Sequence, residues 1–499
     1  MRDPLDWPTA DLVTHRVDAT PERTAMVTAE TGEAWTYRDL DRAVAAVAAD
    51  LDRRTNGTDA TVATLLPTRP AVGVLLFAAM RRGATLAPLN VELDAEALRG
   101  QVAAVDADLL VCGASTRALA EETATCPVVS VADLPVQSDG AEGEREPGVT
   151  PTELTRDRTQ LVLFTSGTTS EPKGVRLTVG NLVASAVASA FRLGVTPGDR
   201  WLVCLPTYHM GGLAPFVRCT LYGSAVVVQR SFDAAATQRA LADHGVTGVS
   251  LVPTMLSRLL DAGWEPHDAL RFVLLGGGPA SEGLVERCRE RGVPVCPTYG
   301  MTETASQIAT ARPETAFEHR GTVGQPLVFT DVTVVADGEP CDPGERGEIV
   351  VDGPTVTPGY LNGDGDSFGD FGFQTGDLGY RDADGRLWVE GRVDDRIVTG
   401  GENVAASTVV DAIRAVRGVE DAAVVGLPDE EWGQRVAALV VGDATPDAVR
   451  SHCADALAAY EVPKTVRIAD ALPRTPSGTV DREAVRSRLS GDNADDVSG

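Results

Sequence analysis

Lysine is almost absent from this chain of 499 residues, although basic residues as a class are not. Lysine and arginine number 44 against 72 acidic residues, which gives a net charge of −28 at pH 7. Two of the 44 are the lysines Lys173 and Lys464, which leaves 42 arginines. So negative a charge disfavours nucleic acid and anionic membranes as partners, and we expect neither.

An acidic chain with few lysines and only 5% aromatic residues is similar to proteins of cells that live in concentrated salt. Surface carboxylates hold water and keep such proteins soluble. A GC-rich genome would favour arginine over lysine, but it would not explain the excess of acidic residues. We therefore predict a halophilic protein.

Paired cysteines and long apolar runs are also missing. The eight cysteines include no C-x-x-C pair, which indicates buried free thiols rather than a disulfide framework or a zinc site. The longest apolar run, residues 71–80, is far shorter than the roughly 18 residues of a membrane span. Residues 1–12 lack the pattern of a signal peptide. We expect a cytoplasmic protein without stable membrane insertion.

Short apolar runs alternate with helical patterns over the first 320 residues. This alternation predicts two α/β blocks with buried, largely parallel strands. The predicted strands are residues 61–65, 84–88, 109–112, 201–205, 225–229, 249–252 and 272–275, and residues 71–82 are a predicted helix.

The remaining chain is organised differently. Turn-rich residues 320–390 predict a small β-rich subdomain. Beyond residue 392 we predict an α+β unit with helices at 406–416 and 446–459 and a strand at 422–425. Residues 134–158 are a predicted surface loop, and residues 491–499 a disordered acidic tail.

One segment carries the clearest chemical information. Residues 161–175 read LVLFTSGTTSEPKGV, an apolar strand followed by hydroxyl residues, glycine and Lys173. Hydroxyl and backbone N–H groups bind phosphate oxygens, and a lysine offsets their charge. The G-x-x-x-x-G-K-[ST] pattern is absent, which excludes a Walker A loop. We predict a polyphosphate site of another type rather than a polar surface turn.

This segment resembles the phosphate loop of the adenylate-forming acyl-CoA synthetase superfamily. Further blocks follow in that family's order, at residues 206–212 (PTYHMGG), 299–304 (YGMTET), 374–377 (QTGD) and 391–395 (GRVDD). The resemblance implies an enzyme that uses ATP, Mg²⁺ and coenzyme A. A carboxylate attacks the α-phosphate of ATP to give an acyl adenylate, and the thiol of coenzyme A then displaces AMP.

The resemblance also implies a domain plan. A large N-terminal domain, residues 1–391, would hold two stacked α/β subdomains and the β-rich subdomain. A hinge at residues 392–395, with Asp394 as its pivot, would lead to a small mobile α+β domain at residues 396–490. From the residues alone, an ordinary exposed turn fits Asp394 as well. A homo-oligomer is left open.

The resemblance assigns Glu303 to Mg²⁺, which takes few carboxylates and also binds phosphate oxygens. Tyr299 would stack on adenine, Thr302 would contact the α-phosphate, and Asp377 would accept from the ribose hydroxyls. The residues assigned to ATP are Thr165, Ser166, Gly167, Thr168, Thr169, Lys173, Gly277, Gly278, Pro279, Tyr299, Thr302, Asp377 and Arg392. Those assigned to catalysis are His209, Thr302, Glu303 and Arg392, with Asp394 as the hinge.

The remaining assignments concern the acid and coenzyme A. By resemblance, the acyl site would be formed by His209, Gly276, Gly300, Ser306 and Gln307. Coenzyme A would pass along Gly400, Gly401, Glu402 and Asn403. From the residues alone, a structural histidine and a simple glycine loop remain alternatives for His209 and for residues 400–403.

The details most resemble o-succinylbenzoate–CoA ligases of menaquinone synthesis. The blocks that carry this resemblance are residues 274–280 (LLGGGPA), 299–307 (YGMTETASQ) and 321–324 (GTVG). Ser306 and Gln307 would meet a second carboxylate or a keto oxygen. Other aryl- and medium-chain acyl-CoA ligases share the GMTET block and remain an alternative.

One motif departs from the family. The family carries a lysine in P-R-T-x-x-G-K-x-x-R, but residues 473–482 read PRTPSGTVDR and place Thr479 at that position. Losing one such preorganised contact costs about 10²–10³ in rate. Three explanations stand. Arg474 or solution cations cover the role, the enzyme favours thioester formation over adenylation, or the protein is a non-catalytic paralogue that binds nucleotide or acyl adenylate. Ser170 also replaces the family's usual glycine.

Overall fold

The computed structural model describes residues 7–55, 59–136, 151–165, 173–363, 367–393, 396–400, 402–429, 432–474 and 480–490. Its α-helices are α1 Leu12–Ala19, α2 Tyr37–Arg54, α3 Pro70–Arg82, α4 Ala95–Ala104, α5 Arg117–Thr123, α6 Val179–Leu193, α7 Met210–Tyr222, α8 Ala234–Asp243, α9 Pro253–Asp261, α10 Glu282–Glu290, α11 Pro313–Glu318, α12 Ala406–Arg414, α13 Pro446–Ala456 and α14 Arg482–Ser490.

The first fifteen strands precede residue 327. They are β1 Thr24–Thr28, β2 Ala34–Thr36, β3 Thr61–Leu65, β4 Thr85–Pro88, β5 Leu109–Cys112, β6 Val128–Ser130, β7 Thr159–Thr165, β8 Lys173–Thr178, β9 Arg200–Val203, β10 Ala225–Val228, β11 Gly248–Leu251, β12 Phe272–Leu275, β13 Val295–Met301, β14 Ser306–Thr310 and β15 Gln325–Pro326.

The later strands belong to the β-rich and C-terminal parts of the chain. They are β16 Asp331–Ala336, β17 Glu339–Pro340, β18 Gly347–Asp352, β19 Phe368–Gly369, β20 Gly372–Arg381, β21 Leu387–Arg392, β22 Arg396–Thr399, β23 Glu402–Ala405, β24 Val419–Asp429, β25 Gly433–Gly442 and β26 Thr465–Ala469.

Two mostly parallel sheets form the first part of the molecule. One has the strand order β6-β5-β3-β4-β7-β8, and the other has the order β15-β14-β13-β12-β11-β9-β10-β1-β2. Residues from both sheets contribute to one hydrophobic core, among them Val62, Leu86, Trp201 and Phe272. These two sheets confirm the predicted α/β class.

Two smaller sheets follow along the chain. The third has the order β17-β16-β18-β20-β19, with β21 paired to β20. The fourth has the order β23-β22-β25-β24, with β26 paired to β25, and helices α12 and α13 contribute to its core. The predicted β-rich stretch and the predicted α+β unit therefore both form.

Local sequence signals explain why the elements lie where they were predicted. Helix α3 begins at Pro70, whose missing N–H is not needed in a first turn, and it ends before Gly83, whose φ of 69° is left-handed. Every residue of β5, β10, β11 and β12 is buried, as parallel strands covered on both faces require.

The chain divides into two compact units by residue contacts. The first comprises Met1–Val332, Val351–Phe373 and Gly385–Leu387, and the second comprises Thr333–Val350, Gln374–Asp384 and Trp388–Gly499. The second unit thus includes much of the β-rich stretch that we assigned to the large domain. The boundaries 1–391 and 396–490 stay predictions, and residues 137–150 of the predicted loop and the tail 491–499 lie outside the described residues.

All eight cysteines are free thiols, and six of them are buried, as the scattered sequence pattern predicts. Over the described ranges, no helix is both long enough and apolar enough to span a bilayer.

Candidate active site

The predicted phosphate loop connects two antiparallel strands in the first unit. Thr165 at the end of β7 is paired with Lys173 at the start of β8. The residues between them, including the predicted Ser166, Gly167, Thr168 and Thr169, lie outside the described residues, as does Ser170. The ammonium group of Lys173 lies 5.3 Å from the centre of the Tyr360 ring. The cation that we expect to meet a polyphosphate is therefore held against an aromatic face.

Tyr360 also contacts the predicted metal ligand. Its hydroxyl donates to Oε1 of Glu303 at 3.1 Å, and the Thr357 N–H donates to the Glu303 carbonyl at 2.7 Å. Glu303 lies in a 3-10 turn, Thr302–Thr304, directly after β13. The segment around Tyr360 thus links Lys173 to Glu303, two residues that sequence reasoning placed at one site. Sequence reasoning missed Tyr360 itself, because no motif that we recognised includes it.

Close backbone approach explains the glycines of this region. A Cβ at Gly300 would lie 1.7 Å from the Ser306 carbonyl oxygen, so β13 and β14 could not pair there with any other residue. A Cβ at Gly276 would lie 2.7 Å from the side chain of Thr298. Gly277, with a φ of 77°, turns the chain after β12 toward Gly278 and Pro279. These glycines allow the loop after β12 and the strand that carries Tyr299 to approach each other.

The structure brings Ser306 together with an arginine that sequence reasoning missed. Nη2 of Arg218, on helix α7, donates to the Ser306 hydroxyl at 2.9 Å. Its guanidinium lies 5.2 Å from the centre of the Trp201 ring, and the residue is only 3% exposed. Its Nε is buried and has no hydrogen-bond partner among the described residues. Burial lowers the pKa of Arg218 to about 10, which leaves it charged at neutral pH.

A small cavity adjoins Arg218. It has an empty volume of about 170 Å³ that includes space open to solvent. Its walls are otherwise mainly apolar and are formed by Leu182, Ser185, Ala186, Met210, Ala214, Val217, Arg218 and Ala305. The Ser185 hydroxyl donates to the Ala305 carbonyl at 2.7 Å, so it is already occupied. The charge of this wall therefore comes from Arg218 alone.

Gln307 makes different contacts from Ser306. Its amide Nε2 donates to the Thr310 hydroxyl at 2.7 Å, and the side chain is 2% exposed. Its Oε1 is buried without a partner among the described residues. The Gln307 amide thus donates to Thr310, whereas Ser306 accepts from Arg218, although sequence reasoning put Ser306 and Gln307 in one pocket.

His209 precedes helix α7 and is largely buried. Its Nε2 has no hydrogen-bond partner in the described part of the chain, and its ring meets that of Tyr208 edge-on at 4.7 Å. Burial lowers the pKa of His209 to about 4, so the imidazole is neutral at pH 7. A neutral ring can accept or donate a hydrogen bond, but it cannot add positive charge to the site.

In the second unit, the predicted ribose pair forms an ion pair. Nη1 of Arg392 lies 3.1 Å from Oδ1 of Asp377, which is 8% exposed. The Asp377 N–H donates to the Thr375 hydroxyl, and the Gly376 N–H donates to Glu348 at 3.0 Å. Nε of Arg392 is buried and unpaired within the described ranges. Asp377 and Arg392 are thus fixed together, with donor capacity left on the arginine.

The predicted coenzyme A residues also lie in the second unit. Gly400 has a φ of 59°, and a Cβ there would lie 2.5 Å from the Trp432 ring. The ammonium group of Lys464 lies 3.9 Å from the centre of the same ring. Glu402 is exposed, whereas Gly401, the predicted hinge residue Asp394, Thr479 and the side chain of Asn403 lie outside what the structure describes.

Comparisons with known proteins show which family the chain belongs to. The family model described as AMP-binding enzyme matches residues 13–361, and the model of its C-terminal domain matches residues 410–479. A 2-succinylbenzoate–CoA ligase from Bacillus licheniformis is 38% identical over 428 residues, which cover 85% of this chain and 88% of that protein.

Two solved structures of o-succinylbenzoate CoA synthetase from Bacillus subtilis are similar over nearly the whole chain. One holds the acyl-adenylate intermediate and has a TM-score of 0.89 at 33% identity, covering 97% of this chain and 98% of that one. The other holds ATP and a magnesium ion and has the same TM-score and identity, with coverages of 97% and 99%. On this evidence, the chain belongs to the AMP-binding enzyme family, as its sequence motifs predict.

Proposed function

We propose that this protein is an AMP-forming ligase that joins o-succinylbenzoate to coenzyme A. The similar proteins from two Bacillus species carry that activity in their names, and the matches cover 85% and 97% of this chain and 88% and 98% of those proteins. ATP would be split to AMP and pyrophosphate, with an acyl adenylate between the two half-reactions. The eight free thiols favour a reducing cytoplasm as the place of the reaction.

The buried Arg218 is the observation that carries the choice of acid. A buried guanidinium that keeps an unpaired donor is expensive unless an anion completes its hydrogen bonds. o-Succinylbenzoate has two carboxylates, so one can react while the other pairs with Arg218 beside Ser306. A monocarboxylic aryl or fatty acid would leave the arginine unpaired. The keto oxygen offers a further acceptor.

The nucleotide is assigned to residues of the motif blocks. We assign the polyphosphate to Thr165, Ser166, Gly167, Thr168, Thr169 and Lys173. We assign adenine to Tyr299 with Gly277, Gly278 and Pro279, the α-phosphate to Thr302, and the ribose to Asp377 and Arg392. The Asp377–Arg392 ion pair supports the last assignment, since it holds the two predicted ribose residues together.

Glu303 fits a magnesium ion that is shared with phosphate oxygens. Across the described residues, no group of three or more His, Cys, Asp or Glu side chains is arranged to hold a metal by itself. Magnesium typically takes one or two carboxylates and fills its other positions with phosphate and water. Bound there, it would neutralise charge on the polyphosphate while the Tyr360 hydroxyl orients the Glu303 carboxylate.

The remaining residues would shape the acid and thiol sites. Neutral His209 would line the acyl site with Gly276, Gly300, Ser306 and Gln307, excluding water rather than supplying charge. Coenzyme A would pass along Gly400, Gly401, Glu402 and Asn403. Rotation at Asp394, within 392–395, would move residues 396–490 between the two half-reactions.

Acid-dependent exchange of labelled pyrophosphate into ATP tests the function. The assay is run in high salt with o-succinylbenzoate, benzoate and medium-chain fatty acids. We expect exchange with o-succinylbenzoate alone. Exchange with the monocarboxylic acids alone would identify another aryl- or medium-chain ligase.

No exchange with any acid would leave a thioester-forming enzyme or a non-catalytic binding protein. Synthetic acyl adenylate with coenzyme A separates these two outcomes, because only the former releases AMP.

A further inference from the structure

The chain segment of residues 354–361, which carries Tyr360, lies along strand β8. Tyr360 forms an antiparallel bridge with this strand, and the Leu361 N–H donates to the Gly174 carbonyl at 2.8 Å. A Cβ at Gly174 would lie 2.6 Å from the side chain of Leu361, which shows how closely the two stretches of chain pack. Because β8 begins at Lys173, the backbone of Tyr360 is fixed beside the residue that we assign to the polyphosphate.

Further hydrogen bonds hold the same segment from two other sides. The side-chain amide of Asn181, on helix α6, donates to the carbonyls of Pro354 and Val356 at 2.9 and 2.8 Å. The Thr357 N–H donates to the Glu303 carbonyl. The segment is therefore held by β8, by α6 and by the turn that carries the predicted metal ligand, all of which belong to the first unit.

The side chain of Tyr360 meets two charged groups through different atoms. The Lys173 ammonium lies 5.3 Å from the ring centre, and the hydroxyl donates to Oε1 of Glu303 at 3.1 Å. Tyr360 itself is only 7% exposed. Cation–π attraction and a hydrogen bond to a carboxylate are both stronger where water is largely excluded. Each contact therefore restricts where its charged group can lie.

A tyrosine suits this place because it is uncharged at neutral pH. A direct ion pair between a lysine and a carboxylate would offset the charge of each. A tyrosine that contacts both groups positions them without offsetting either charge. The positive charge of Lys173 then attracts phosphate, and the negative charge of Glu303 attracts Mg²⁺.

We propose that Tyr360 is a positioning residue for ATP and its magnesium ion, with the ring holding Lys173 for the polyphosphate and the hydroxyl holding Glu303 for the metal. The proposal rests on the ligase function proposed above, which calls for ATP and Mg²⁺. It divides the contribution of one side chain into a metal-independent part and a metal-dependent part. ATP binding measured without any acid separates these parts, because no turnover takes place.

Calorimetric titration of ATP, in EDTA and at a series of Mg²⁺ concentrations, is the test. Tyr360→Phe keeps the ring and removes the hydroxyl. We expect the dissociation constant of ATP in EDTA to stay within about twofold, because the contact between the ring and Lys173 remains. The Mg²⁺ concentration that gives half of the metal's effect on ATP affinity should rise about tenfold, since a hydrogen bond to a charged group is lost.

Tyr360→Leu removes the ring as well. ATP binding in EDTA should weaken about fivefold, as for the loss of a cation–π contact, and the Mg²⁺ requirement should rise as in Tyr360→Phe. Tyr380 supplies the matched controls, because Arg346 lies 5.5 Å from its ring centre in a similar arrangement and neither residue is assigned to ATP. Tyr380→Phe and Tyr380→Leu should leave both quantities within about twofold.

A double-mutant cycle distinguishes positioning from a loss of packing. In a Glu303→Gln background, Tyr360→Phe should change the Mg²⁺ requirement by less than about twofold, because the hydroxyl acts through that carboxylate. A merely structural role of the hydroxyl would give the same change in both backgrounds.

The proposal is overturned if Tyr360→Phe and Tyr360→Leu have the same ATP affinity in EDTA, if the Mg²⁺ requirement of Tyr360→Phe is unchanged, or if the effects in the cycle are additive. A wild type that does not bind ATP, or whose ATP affinity does not respond to Mg²⁺, overturns it as well. If the binding results are as expected but pyrophosphate exchange occurs with no acid, the adenylating function fails while the assignment of Tyr360 stands.

Discussion

Two arginines of the first unit are equally buried, but within the described residues one is paired with carboxylates and the other is not. Arg81 is 4% exposed and Arg218 is 3% exposed. Arg81 donates to both oxygens of Asp11, at 2.9 and 3.1 Å, and to Asp41 at 2.7 Å. Burial alone would lower its pKa, but Asp11 and Asp41 raise the pKa of Arg81 above its usual value.

Arg218 has a hydroxyl and an aromatic ring in place of two carboxylates, and burial lowers its pKa to about 10. The difference teaches how a structural ion can be told from one that awaits a ligand. A buried arginine that is paired with carboxylates stabilises the fold. A buried arginine that lies next to a cavity without a carboxylate partner is expected to bind an anionic ligand.

The largest expected effect concerns the paired arginine. Arg81→Met removes the guanidinium that pairs with buried Asp11 and Asp41, and we expect the free energy of unfolding to fall by about 3–5 kcal/mol. Urea denaturation measures this free energy of unfolding. The matched control is Arg53→Ala, which removes an exposed partner of Asp50 on helix α2 and should cost less than about 1 kcal/mol. Similar losses of unfolding free energy in Arg81→Met and Arg53→Ala would contradict the prediction that the buried ion pair matters more than the exposed one.

The next effect concerns the unpaired arginine. Arg218→Met should lower kcat/KM for o-succinylbenzoate about 10²-fold, because each hydrogen bond to a charged group is worth about 1.5–3 kcal/mol. The free energy of unfolding should change by less than about 1.5 kcal/mol, as for other volume-conserving replacements. Steady-state kinetics and urea denaturation of the same preparation measure both quantities.

Arg218→Lys is the control variant that keeps the positive charge but removes the planar guanidinium group. A lysine keeps the charge but loses the planar pair of donors, so we expect an intermediate loss of about tenfold. Destabilisation of Arg218→Met as large as that of Arg81→Met, with unchanged kcat/KM, would make Arg218 a structural residue.

The smallest expected effect is on the pH dependence of stability, and it concerns His209, whose Nε2 has no hydrogen-bond partner among the described residues. Burial lowers the pKa of His209 to about 4 from its usual value of 6.5, so the unfolded chain binds a proton between these values that the native protein does not. Its contribution to stability is therefore complete above pH 6.5 and is lost as the pH falls toward 4. The melting temperature of wild type should therefore fall relative to that of His209→Gln as the pH is lowered from 7 to 4. A difference that does not depend on pH would contradict the burial of a neutral ring.

Local signals made most of the fold predictable. Pro70 and Gly83 mark the ends of α3, and continuous apolar runs mark β5 and β12, because these features act within a few residues. The division into two units was less predictable. Strands β16, β18 and β20 contribute residues to both units, and no composition change marks those crossings.

The contacts within the candidate site were predictable where a motif carries the residues and not elsewhere. Lys173, Glu303 and Asp377 stand in recognisable blocks, whereas Tyr360 reaches Lys173 from a segment that is distant in sequence. Arg218 did leave a signal, since it is the single charged residue in the apolar helix α7. A charge inside a buried helix indicates a partner, but the sequence does not say which. The predicted halophilic source stays a prediction.

The scarcity of lysine makes this molecule well suited to chemical footprinting. Each lysine lies on an aromatic ring, Lys173 over Tyr360 and Lys464 over Trp432. A reagent that acylates amines has only these two side-chain targets in the whole chain. Because one adjoins the proposed nucleotide site and the other the proposed coenzyme A site, their protection by each ligand can be followed separately in a single peptide map.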